Sequence, residues 1–321
     1  MNVLGEKQKG IFNQELSNEE RTAYEREFNK LYFSIREKDE KSLLGRLSHQ
    51  TRKKLYPFVL QVYKIINFIG GFSSEVIGDH SSKTDRPVIY AVSHVGKYDI
   101  QALCAALQKH CYILTGDYEH LQGKIDWKFL MLNGVVCFNE RVKEDRKAAG
   151  DNMVALLREG IDLMYFPEGA WNMTPHLPML PCYWGIIDVA RKSKAIIVPI
   201  AACQYGKKFK FNIGNNFDVN DFSEEASGKT MAITSLRDEM ASLCYEIYES
   251  EPTLNRSELT GNEWEQYIQA RLKEWTFPDV AYIDGLVYKP KDIITPQDAF
   301  SHLSKIAPTM QNAFLFNKRL K

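Results

Sequence analysis

Between residues 88 and 213 the chain alternates short apolar runs with longer stretches of helical periodicity, and few architectures accommodate that alternation. The runs are 88–93, 112–115, 135–138, 161–166, 196–202 and 209–213. Several are apolar at consecutive positions, as in Ala195-Ile196-Ile197-Val198, which suits a strand covered on both faces. The pattern predicts an α/β fold with a mixed, largely parallel central sheet flanked by helices. Helices are expected at 142–159, where Met153, Leu156 and Leu157 face inward and Gly160 ends the run, and at 229–249, which carries Met231, Leu236, Met240, Leu243 and Ile247.

The length, 321 residues, suits one large domain with additions. The expected organisation is an N-terminal amphipathic helical region over 1–84, the α/β domain over 85–249 and a C-terminal extension over 250–321. That extension has a helix expected at 263–275, then prolines at 278, 290, 296 and 308 punctuating shorter pieces. The last eight residues mix apolar and basic side chains and could touch an anionic lipid surface, though a frayed terminus is the favoured reading.

Residues 55–72 are apolar but interrupted by Gln61, Lys64 and Asn67, and a bilayer span needs about 20 predominantly apolar residues. At helical period Phe58, Val62, Ile65, Ile66 and Ile69 share one stripe, which predicts an amphipathic helix. Two readings stay open: the stripe packs on the core, or it lies in a membrane interface. Residues 1–51 lack the apolar stretch of a secretory signal, so nothing directs export. The six cysteines are scattered through apolar runs, as expected of reduced thiols in a cytoplasmic protein.

With 41 Lys+Arg against 41 Asp+Glu, the chain lacks the positive excess that a nucleic-acid partner requires. Neither a C-x-x-C pair nor a histidine at ligand spacing suggests a metal. The nucleophile elbow G-x-S-x-G, the phosphate loop, the dinucleotide fingerprint and H-E-x-x-H are all missing. Gly96-Lys97 is a chance fragment of a phosphate loop, since Ala91 stands where its first glycine belongs.

What remains is a buried strand running into His94, with Asp99 five residues on. Inside one regular helix the two side chains would diverge by about 140°. They meet only if His94 sits at the strand-to-helix turn and Asp99 in the first helical turn, with Gly96 giving the turn its freedom. The carboxylate then orients one ring nitrogen and leaves the other to take a proton from a hydroxyl. Ser93 should point away from His94, so no Ser-His-Asp triad is expected and the nucleophile comes from a substrate. A second strand, 161–166, runs into Pro167-Glu168-Gly169, where Glu168 could meet a polar acceptor or hold a loop.

Together these residues resemble the glycerolipid acyltransferase family, best known for the 1-acylglycerol-3-phosphate acyltransferases. The resemblance rests on four short blocks in order within 88–217: Ser93-His94-Val95-Gly96-Lys97-Tyr98-Asp99, with Ser93 in place of the usual Asn; Gly134-Val135-Val136-Cys137-Phe138-Asn139-Glu140-Arg141; Phe166-Pro167-Glu168-Gly169; and Val198-Pro199-Ile200. It implies that His94 deprotonates an acceptor hydroxyl, that Asp99 orients His94, and that the hydroxyl attacks an acyl-thioester without an acyl-enzyme. It further implies that Arg141 contacts the acceptor's phosphate, with Lys97, Glu168 and Gly169 also on the acceptor side.

Family members acting on glycerol phosphates usually follow Glu-Gly with Thr-Arg, whereas this chain has Ala170-Trp171-Asn172. The second cation is missing, which leaves Arg141 and Lys97 to hold the headgroup. Trp171 is read as packing or as an interfacial anchor, and Gly185 as a close-packing position. The resemblance thus implies an O-acyltransferase of phospholipid or glycolipid synthesis, peripheral or monotopic on the cytoplasmic face of the membrane. Its acceptor is a lyso-glycerolipid, and its co-substrate is acyl-CoA or an acyl carrier protein thioester, with no bound cofactor. The alternatives are a non-catalytic lipid-binding or scaffold protein that keeps the fold, and an ester hydrolase using water at the same His94.

Overall fold

The computed structural model of the chain describes residues 17–116, 118–172 and 177–251, together with residue 4 and positions 261–263, 266, 269 and 270. The expected helix at 263–275 and the terminal residues lie largely or wholly outside these. The chain divides into two units, Met1–Val287 and Tyr288–Lys321, and everything below concerns the first.

Two helices precede the sheet. The first, α1 (Asn18–Glu40), opens on a capping box in which Ser17 accepts the Glu20 N–H and the Glu20 carboxylate accepts the Ser17 N–H at 2.9 Å. The second, α2 (His49–Gly70), starts on Ser48 and stops at Gly71, whose φ of +71° is left-handed. There follow β1 (Ser73–Asp79), β2 (Val88–Val92), α3 (Asp99–Leu107), β3 (Tyr112–Thr115), α4 (Tyr118–Leu121), α5 (Ile125–Asn133) and β4 (Val135–Cys137). The remainder is α6 (Lys143–Arg158), β5 (Leu163–Tyr165), α7 (Gly185–Ser193), β6 (Ile196–Tyr205), β7 (Lys208–Ile213) and α8 (Ala226–Glu249).

The strands form one seven-stranded sheet in the order β1-β7-β6-β2-β5-β3-β4. Neighbours from β6 to β4 are all parallel, β7 is antiparallel to β6, and β1 is parallel to β7. Each of the six expected strands is present, so the sheet is mixed and largely parallel. Both faces are covered, which explains the continuous apolar runs. Tyr90 and Val92 of β2 pack on one side with Val59 and Tyr63 of α2, Leu103 of α3, Trp127 of α5, and Phe28 and Tyr32 of α1. Ile89 and Ala91 pack on the other with Met153 and Leu157 of α6, Ile186 of α7 and Leu236 and Met240 of α8. Helix α6 ends where expected: Gly160 takes φ +78° and Ile161 N–H returns to Leu156 O at 3.0 Å.

Three features differ from the sequence reading. The first is β1, an edge strand whose sequence SSEVIGD is mostly solvent-exposed and so carries no apolar signature. The second is Met231, which is exposed near the start of α8 while Leu236, Met240, Leu243 and Ile247 are buried. The third concerns α2, which packs on the core through Tyr56, Val59, Leu60, Tyr63 and Asn67. The apolar stripe read from the sequence faces outward, with Phe58, Ile65, Ile66 and Ile69 exposed alongside Leu55 and Phe68. Among the described residues no helix is long and apolar enough to cross a membrane.

Polar contacts lock α1 to the sheet. Arg36 forms two hydrogen bonds to Asp145, at 2.6 and 2.7 Å, and Asp145 also accepts the Asn139 N–H at 2.6 Å. Asp39 Oδ2 accepts from Tyr118 Oη and Trp127 Nε1, both at 2.8 Å. The loop after β4 is thereby tied to α1 through Asp145, and α4 and α5 are tied to α1 through Asp39.

Candidate functional site

The C-terminal ends of β2, β5, β3 and β4 all open on the same edge of the sheet, because these strands are parallel. Such an edge is where α/β sheets collect functional groups. At the end of β2, Ser93 turns into the sheet: its Oγ donates to Ala202 O at 3.2 Å and accepts the Ala202 N–H at 2.7 Å. The hydroxyl is consumed by β6, and a Ser-His-Asp arrangement is ruled out by this pairing.

The next residue, His94, lies with its Nδ1 2.7 Å from Asp99 Oδ2. Asp99 is the first residue of α3, the geometry that the five-residue spacing demanded. The same Oδ2 accepts the backbone N–H groups of Val95 at 3.0 Å and Gly96 at 3.1 Å. One buried carboxylate oxygen therefore gathers the whole turn. Gly96 is not among the residues with positive φ, so its contribution is this N–H, close to the start of the helix, rather than left-handed freedom.

Glu168 supports the turn from β5. Its Oε1 accepts the His94 backbone N–H at 2.9 Å and its Oε2 accepts the Leu180 N–H at 2.7 Å. Of the two roles open to it in the sequence, the loop-holding one is what these bonds perform. Burial raises the Glu168 carboxyl to about 7, against the lowering effect of its two backbone donors. Gly169 takes φ +66°, and a Cβ there would stand 2.6 Å from the Tyr183 ring. Both facts require glycine.

The imidazole is bounded by two aromatic rings. Phe166 packs against it, tilted by 33°, at a centroid distance of 4.4 Å. Trp171 stands edge-on, and its indole Nε1–H donates to His94 Nε2 at 3.1 Å. Asp99 accepts on one side and the indole can only donate on the other, so His94 is neutral with the proton on Nδ1. The sequence assigned Trp171 to packing or to an interface; its contact with His94 Nε2 could not be read there. The side chain of His94 is 22% exposed, so the site is reachable from solvent.

Of the remaining candidates, Lys97 is on the His94–Asp99 turn and Arg141 stands apart. Arg141 follows β4, three strand spacings or roughly 14 Å along the edge from β2. It pairs with the buried Glu119 of α4 at 3.4 Å, and its N–H is held by Asn139 Oδ1 at 3.0 Å. Its charge is felt locally: burial first, then Lys124 and Arg141, push His120 down to about 3. Lys97 is exposed, with its ammonium 5.1 Å from the Tyr98 ring. A groove of about 410 Å³ lies between α2, β1 and α3, walled by Phe68, Phe72, Val76 and Ala106 among others. His94 does not line it, but Phe72 contacts Tyr98, next to Asp99, at 4.5 Å.

The Acyltransferase family model matches residues 73–202, a stretch that contains both turns. No curated protein matches the chain. Among solved structures it is similar to the crystal structure of the 1-acyl-sn-glycerophosphate (LPA) acyltransferase PlsC from Thermotoga maritima. The identity is 18% and the TM-score 0.45, over 66% of this chain and 89% of that one.

Glu168 generates a pH prediction. Its folded-state value, about 7, lies above its ordinary 4.5, so its stabilising contribution is present at low pH and is lost as pH rises through 7. Between pH 5 and 8 the melting temperature of the native protein should fall relative to that of Glu168→Gln. Parallel profiles for the two proteins would contradict the assignment.

Proposed function

Residues 73–202 are an acyltransferase domain, and from that premise we propose that the chain moves a fatty acyl group from an acyl-thioester to the hydroxyl of a lyso-glycerolipid. The observation that carries the reading is the pair itself: an imidazole whose Nδ1 is held by a buried carboxylate, 2.7 Å away, at an accessible strand end. In the proposed reaction the acceptor O–H gives its proton to Nε2 of His94 as its oxygen attacks the thioester carbonyl. The C–S bond then breaks, and the imidazolium returns the proton to the leaving thiolate. Asp99 stabilises the imidazolium between these steps. No protein nucleophile is required, in keeping with the engagement of Ser93 by Ala202.

Acyl-CoA or an acyl carrier protein thioester is the proposed donor. Arg141 is the proposed contact for an anionic group of the acceptor, although Glu119 already offsets part of its charge. With Trp171 rather than a cation beside His94, a phosphate monoester has less support here than a headgroup of lower charge, and 1-acylglycerol-3-phosphate is one candidate among lyso-lipids. Lys97 lies on the turn that carries His94, and Glu168 and Gly169, proposed on the acceptor side, also hold that turn and the loop after β5.

A lyso-lipid resides in a bilayer, so the site must approach one. The outward stripe of α2 is the proposed docking element, lying in the interface of the cytoplasmic leaflet. Its end adjoins the catalytic turn: Asn67 and Gln101, the latter in the first turn of α3, are joined at 2.8 Å, and Phe68 and Ile69 are exposed beside them. Lys207 extends toward Phe72 at 5.9 Å, adding positive charge at the same end.

Two tests follow. With purified protein, an acyl-thioester and a panel of lyso-lipids, thiol release should require an acceptor, and His94→Ala or Asp99→Ala should lower it at least about 100-fold with the fold intact. Full turnover by folded His94→Ala would overturn the mechanism. Replacing Phe68 and Ile69 together by Ser should weaken binding to anionic vesicles by about 100-fold or more, since each large apolar side chain contributes about 1.5–3 kcal/mol when buried. Undiminished vesicle binding would remove α2 as the docking element.

A further inference from the structure

The bond between Trp171 and His94 has no part in the acyl transfer just described, and it occupies the atom on which that transfer depends. Nε2 of the neutral imidazole offers one lone pair, and the indole N–H points at it from 3.1 Å. While that bond stands, no O–H can deliver a proton to Nε2. The residue after Trp171 is pinned: the Asn172 N–H donates to His94 O at 3.1 Å, and the Asn172 side chain donates to Leu177 O at 2.7 Å. The His94 ring is oriented by Asp99 and its backbone N–H is held by Glu168, while its carbonyl takes the Asn172 N–H. A rotation of the Trp171 side chain would take the indole off Nε2 and leave the bonds of Asp99, Glu168 and Asn172 to His94 in place.

We propose that Trp171 is a positioning residue that caps the base nitrogen at rest, keeps His94 in the tautomer with Nε2 unprotonated, and yields its place to the hydroxyl of an arriving acceptor. This rests on the acyl-transfer reading for its consequence. An uncapped base beside a thioester would also accept a proton from water. The water oxygen would attack the carbonyl, the C–S bond would break, and the imidazolium would protonate the thiolate, leaving a free fatty acid and a thiol. The cap withholds Nε2 from that reaction until an alcohol displaces it.

The test uses the full chain with Trp171→Phe, which keeps an aromatic ring but loses the N–H donor and some bulk, and Trp171→Leu, which also lacks the donor and stands in should the first variant not fold. The first readout needs no substrate: diethyl pyrocarbonate modification of His94, followed peptide by peptide by mass spectrometry. It should be about 5-fold faster in the variants than in the native protein, a factor typical of one lost neutral hydrogen bond, with the buried His120 unchanged as a control on the fold. The second readout is thiol release from an acyl-thioester without acceptor. It should rise by a similar factor in the variants and vanish when His94→Ala is added. Equal modification of His94 in native and variant proteins overturns the cap. Faster modification with unchanged acceptor-free thiol release overturns its role as a guard against water. Should the native protein transfer no acyl group to any acceptor, the acyl-transfer reading fails, while the modification rates still decide whether the indole caps Nε2.

Discussion

A single carboxylate oxygen organises the site on which everything else depends. Asp99 Oδ2 accepts from the His94 ring and from two successive backbone N–H groups, so the side chain that orients the imidazole also folds the turn that carries it. Position and chemistry are thereby linked. Removing the carboxylate would free both the tautomer and the backbone, and no neighbouring group makes the same three contacts. Glu168 completes the arrangement from the adjacent strand by holding the His94 amide, so two strands of the sheet register the histidine to within hydrogen-bond tolerance.

The sheet determines what can reach that histidine. Five parallel strands send their C-terminal ends to one edge, and the helices that follow them supply Asp99, Glu119 and the loop bearing Arg141. That loop is anchored from α1 through Arg36 and Asp145, which makes the N-terminal helices part of the architecture of the site. The outward apolar face of α2 ends beside the turn that carries His94, where Asn67 meets Gln101.

Much of this was legible in the sequence because it follows from local rules. Strands buried on both faces announce themselves as unbroken apolar runs, and a His and an Asp five residues apart can meet only across a strand-to-helix turn. Where the sequence misled, a choice between neighbours was at stake. The periodicity of α2 showed a stripe but not which face the core would take, and Tyr56, Val59, Leu60 and Tyr63 won that face. The edge strand β1 is too exposed to show a pattern. Gly96 contributes an N–H rather than an unusual backbone angle. The pairing of Arg141 with Glu119, and of Trp171 with His94, joins residues separated by 22 and 77 positions, contacts that one-dimensional spacing does not encode.

The central claim is that a buried carboxylate fixes His94 with its proton on Nδ1 and its lone pair on Nε2. Nitrogen-15 NMR of the histidine-labelled protein, with the His94 signals assigned by their absence in His94→Ala, measures this directly. The account requires a single neutral tautomer at His94, Nδ1 protonated and Nε2 bare, which relaxes to a mixture in Asp99→Ala. A proton found on Nε2, or a tautomer ratio indifferent to Asp99, would contradict it.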